Sequence, residues 1–110
     1  MQERRKSIRK QAHHPLAVTD RDRDALLGYL VDISSEGIMV LSPEAIPTNR
    51  VFQLGLELPA DIDCGPAALF GAESLWTESS SELEKYWIGF QIIDIAPEHA
   101  QKIRRLIDAL

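Results

Sequence analysis

The chain has 110 residues, 45% of them hydrophobic, which suits one compact domain with a real core. Its net charge of −5 is unevenly spread: residues 1–14 carry five basic side chains (Arg4, Arg5, Lys6, Arg9, Lys10) against Glu3 alone, leaving −9 on the remainder. A basic head on an acidic body argues against general nucleic-acid binding, which puts its basic face on the folded domain, and points instead to a local anion site.

Residues 1–14 are polar and basic and are expected to form an arm without regular structure when free. Residues 15–19 form a first short strand, followed by the charged turn Asp20–Asp24. Leu27, Tyr29, Val31 and Ile33 recur at period two, the pattern of a half-buried second strand. Residues 34–37 form a turn in which Gly37 is expected to supply a positive φ, and Ile38–Leu41 are a third strand. Pro43 and Pro47 make residues 42–49 a loop. Phe52, Leu54, Leu56 and Leu58 alternate in a fourth strand, which Pro59 ends.

After a loop at 61–66, residues 67–77 suit a fifth strand, with Phe70, Ala72 and Trp76 expected on one face. Residues 79–81 turn the chain into a sixth strand carrying Tyr86, Ile88, Phe90 and Ile92. Pro97 and Glu98 open a helix, and Ala100, Ile103, Leu106, Ile107 and Leu110 share one of its faces. Arg104 and Arg105 are expected to complement its dipole near the C-terminal end. Six short strands and one amphipathic helix predict a mainly β fold, a small barrel over 15–110 capped by a helix at 97–109.

Catalytic and metal chemistry find little support. His13 and His14 are neighbours and point apart on an extended chain, and His99 stands alone. There is no CxxC, HExxH, nucleophile elbow or phosphate loop, so neither an enzyme nor a metal or cofactor site is expected. Cys64, the one cysteine, reads as an unpaired small residue and favours a reducing compartment. No apolar run reaches the ~18 residues that span a bilayer, and the N-terminus opens on charge. The expected location is the cytoplasm, with no membrane span.

Two segments stand out. Arg4-Arg5-Lys6-Ser7-Ile8-Arg9 contains Arg-x-x-x-Arg at Arg5 and Arg9, and Asp32-Ile33-Ser34-Ser35-Glu36-Gly37 is an Asp-x-Ser-x-x-Gly turn. Alone, the first is a common solvated tail and the second a common turn. In this order, ahead of a barrel-and-helix pattern with the Trp76 strand and the Gly89 strand, they resemble the PilZ domain family along essentially the whole chain.

The resemblance implies a six-stranded antiparallel barrel with a C-terminal helix, and a non-catalytic bacterial receptor for cyclic di-GMP. It makes Arg5 and Arg9 the main ligand contacts, with Arg4 and Lys6 secondary. Guanidinium forks match phosphate oxygens and guanine O6 and N7. Asp32 suits the N1–H and N2–H donors of guanine, while Ser34 and Gly37 shape the turn and Gly37 lets the ligand near the backbone. Trp76 is a further candidate contact, weighed equally against barrel packing. Arg4 just before the motif implies two stacked ligand molecules per chain. An arm ordered by ligand would relay the signal to an unidentified downstream protein. The alternative is a PilZ-like adaptor that works by protein contact without nucleotide.

Overall fold

The computed structural model describes residues 9–110. Seven strands and one α-helix follow in chain order: β1 Lys10–Gln11, β2 Ala17–Asp20, β3 Ala25–Ile33, β4 Gly37–Ser42, β5 Val51–Glu57, β6 Ala67–Ser80, β7 Lys85–Asp94 and α1 Pro97–Ala109. A single 3-10 turn, Ala60–Ile62, lies between β5 and β6.

Six of the strands close into an antiparallel barrel in the order β2-β5-β6-β7-β4-β3, with β3 returning to β2. Period-two alternation decides which side chains go inside. Val18, Ile33, Ile38, Val40, Leu54, Leu56 and Ile88 are fully buried in the barrel. Phe52 meets Phe90 edge to face, with ring centroids 5.8 Å apart.

The remaining strand, β1, is short. Lys10 pairs with Ile33 and Gln11 with Asp32, so the arm expected to be irregular through residue 14 joins the sheet at these two positions. The Ala12 amide continues the ladder to the Val31 carbonyl at 2.9 Å.

α1 runs over 97–109 as its sequence predicts, and its apolar face seals one end of the barrel through Ile103 and Leu106. Three polar side chains one turn apart tie it to backbone. His99 Nδ1 accepts from the Leu69 amide at 3.1 Å, Lys102 Nζ donates to Ala67 O at 3.4 Å, and Arg105 Nη2 donates to Ile62 O at 2.8 Å. The first two serve the start of β6, before its ladder with β7 begins at Gly71, and the third holds the 3-10 turn that precedes it. The last turn of α1 contains no basic residue, so the arginines expected to complement its C-terminal dipole sit upstream of it.

Farther along β6, the loop at 43–50 folds inward. The fully buried Ser74 hydroxyl donates to Pro47 O at 2.8 Å and accepts from the Arg50 amide at 3.2 Å. No described helix is long and apolar enough to cross a membrane.

Candidate functional site

Cross-strand register assembles the site. Gln11 opposes Asp32, Asp32 opposes Met39, Met39 opposes Gly89, and Gly89 opposes Trp76. Directly opposed residues share a face of the sheet, so this row runs over the outer wall of the barrel across five strands. It forms the floor of a cleft of about 480 Å³, also lined by Arg9, Lys10 and Leu75.

Arg9 enters at one end of the row. Its Nε donates to Asp32 Oδ1 at 3.0 Å, and its Nη2 donates to the same oxygen. Nη1 reaches Ser34 Oγ at 3.4 Å. The basic motif and the Asp-x-Ser-x-x-Gly turn therefore touch. The Arg9 and Asp32 side chains are 28% and 19% exposed. A pair so placed contributes at most about 1 kcal/mol, and its main effect is to fix where the guanidinium lies. Oδ2 of Asp32 carries no hydrogen bond from the described residues.

Ser34 is the hub of the turn. Its amide donates to Gly37 O at 2.9 Å, closing the chain between β3 and β4. Its hydroxyl accepts from the Glu36 and Gly37 amides, both at 3.2 Å. With the Arg9 contact, one nearly inaccessible oxygen joins the arm to the turn. A short hydroxyl side chain bonding backbone two and three residues on is what lets such a turn be tight.

Gly37 differs from its sequence reading. Among the described residues the glycine with positive φ is Gly65, not Gly37. What excludes a side chain at 37 is β7: a Cβ there would lie 2.4 Å from the Phe90 carbonyl oxygen. The space a side chain would take at this glycine is filled by a neighbouring strand.

Trp76 also departs from expectation. Strict alternation puts it inside with Phe70 and Ala72, but the β6–β7 register shifts between Ser74 and Trp76. The extra residue, Leu75, turns Trp76 outward, where it is 43% exposed. Its indole lies against Gly89, and a Cβ on Gly89 would sit 2.3 Å from Trp76 Cε2 and Nε1. Glycine here is the seat of a flat aromatic surface facing the cleft.

Arg9, Asp32 and Trp76 thus line one cleft, with Ser34 and Gly37 in the turn beside it. Arg4, Arg5 and Lys6 lie outside the described residues. Sequence reasoning passed over Gln11, Met39 and Leu75, which also line the cleft. Met39 could have been found, since it falls between the inward Ile38 and Val40. Among the described residues no group of three or more His, Cys, Asp or Glu is placed to hold a metal ion.

A family model described as PilZ domain matches residues 3–109. The fold is similar to the PilZ domain with c-di-GMP of YcgR from Escherichia coli, with TM-score 0.74, 20% identity, and 98% of this chain and 92% of that chain covered. It is similar to the Bacillus subtilis inhibitor of motility MotI/DgrA, with TM-score 0.76, 17% identity and coverage of 97% and 51%. YcgR from Escherichia coli in complex with c-di-GMP gives TM-score 0.75, 18% identity and coverage of 97% and 46%. This chain spans about half the length of the last two. No curated protein matches it.

Proposed function

The chain belongs to the PilZ domain family, and from that membership and the chemistry of the cleft we propose that it is a bacterial, cytoplasmic, non-catalytic receptor for cyclic di-GMP. The observation that carries the reading is the contact of Arg9 with both Asp32 and Ser34 beside the outward-facing Trp76. It brings a planar cation, a carboxylate oxygen with no hydrogen bond from the described residues, and an aromatic face into one cleft. Cyclic di-GMP presents the matching set: two phosphodiesters, guanine N1–H and N2–H donors, and flat bases.

In this reading the Arg9 guanidinium donates to a phosphate or to guanine O6 and N7. Asp32 accepts from the guanine donors through Oδ2 while Oδ1 holds Arg9. Trp76 takes a base on its face, a contact worth ~1–3 kcal/mol. Arg5, with Arg4 and Lys6 secondary, completes the phosphate contacts from the arm, and Arg4 favours two stacked ligands. Ligand binding orders the arm, and the altered surface signals to a protein partner.

Calorimetric titration with cyclic di-GMP tests this, alongside Arg5→Ala, Arg9→Ala and Asp32→Ala. Saturable binding lost in the variants, with circular dichroism unchanged, supports the receptor. An endpoint of two ligands per chain supports the stacked pair, and an endpoint of one rejects it. No heat and no amide chemical-shift change at high ligand rejects the receptor and leaves an adaptor acting by protein contact.

A further inference from the structure

The arm segment at 9–11 presents its residues to two different places. Gln11 shares a face with Asp32, and Arg9, two residues earlier, bonds the same carboxylate, so both belong to the cleft side. Lys10 lies between them; it borders the cleft as well, but it opposes Ile33, whose side chain is fully buried in the barrel. Lys10 Nζ donates to the main-chain oxygen of Leu110 at 3.3 Å, linking the arm to the end of α1 across 100 residues of sequence.

Lys10 brings a cation to the last turn of α1. The final carbonyls of a helix have no intrahelical donors and carry partial negative charge. One is met by the Leu110 amide, which bonds Ile107 O at 3.2 Å. No basic residue stands in the last turn. The complementary cation comes from the arm.

We propose that Lys10 couples the cleft to the C-terminal turn of α1, so that cyclic di-GMP bound at Arg9 holds Lys10 at Leu110 and stabilises the end of the helix. The inference rests on the receptor reading of the cleft and names how its occupancy is transmitted. A two-residue ladder contributes little stability by itself. A ligand that fixes Arg9 and Gln11 on one side therefore also fixes Lys10 on the other. Linkage makes the effect reciprocal: the capping contact favours ligand by the same factor by which ligand favours capping. A single cation at a helix end sets that factor at about two- to fivefold.

The test is amide hydrogen exchange on the full chain, with and without saturating cyclic di-GMP, read at Ile107, Asp108, Ala109 and Leu110. Calorimetry on the same samples reports occupancy. Wild type and Lys10→Arg should show exchange slowed about two- to fivefold by ligand. Lys10→Met should show faster exchange without ligand, no ligand-induced slowing, and affinity lower by the same factor. Lys85→Met, a charge change in the distant β6–β7 hairpin, should behave as wild type. Calorimetric binding without slowing at 107–110, or slowing that persists in Lys10→Met, overturns the coupling and leaves the receptor standing. Absence of calorimetric binding to wild type overturns both.

Discussion

Replacing Gly89 by alanine tests whether Trp76 is held as a platform. The new Cβ would lie 2.3 Å from two indole atoms, where ordinary contact begins at 3.4 Å, so the ring must rise by more than 1 Å. Trp76 is 43% exposed and can lift toward solvent, whereas the paired backbone beneath it cannot retreat. Overpacking costs about 1–3 kcal/mol, and a ring free to lift places this case near about 1 kcal/mol. For a domain of this size that lowers Tm by about 4–8 °C. The larger effect falls on the ligand. A stacked base is worth ~1–3 kcal/mol, so losing the seat should weaken cyclic di-GMP binding at least about fivefold.

A Trp87→Phe background leaves Trp76 as the one tryptophan, whose selectively excited emission reports ring exposure, and calorimetry gives the affinity. If Gly89→Ala acts through the ring, adding it to Trp76→Ala changes affinity no further. Losses that multiply in the double variant, or an emission maximum unmoved by Gly89→Ala, would refute the reasoning.

Gly37→Ala places a Cβ 2.4 Å from a backbone oxygen of β7, in a ladder with no flexible side chain to yield. It should cost about 3 kcal/mol and lower Tm by more than ~10 °C in a melting curve. Asp32→Asn removes the charge that holds Arg9 but keeps an acceptor. Because the pair is partly exposed, stability by urea titration should change by less than about 1 kcal/mol, while calorimetric affinity falls at least about tenfold. His99→Ala leaves the Leu69 amide without its acceptor and should cost about 1–2 kcal/mol in urea. Its affinity for cyclic di-GMP should stay within about twofold of wild type, since His99 lies away from the cleft.

Much of the fold is legible in the sequence because simple periods carry it. β5 alternates cleanly through Phe52, Leu54 and Leu56, and α1 starts at Pro97 where a missing amide does no harm. The site is legible in part. Ser34 sits on a turn whose local bonding its residue type encodes, with Asp32 near the end of the strand before it, and the contact of Arg9 with both depends on β1 pairing, which two residues of sequence cannot announce. The face of Trp76 was misread because alternation assumes an unbroken ladder, and the register shift at Leu75 depends on the partner strand. The need for glycine at 37 and 89 is also tertiary, set by Phe90 O in one case and the Trp76 ring in the other. His99 looked inert, yet it replaces a missing strand partner for β6.

The supernumerary residue at Leu75 makes the aromatic wall of the cleft a matter of strand length. Removing one codon there would return the following residues to strict alternation and send the indole into the barrel. Restoring it would bring the indole out again, with no change of residue type on either side. Barrels built this way can therefore gain or lose an outward aromatic surface through a single insertion or deletion, an event that residue-by-residue comparison records only as a gap.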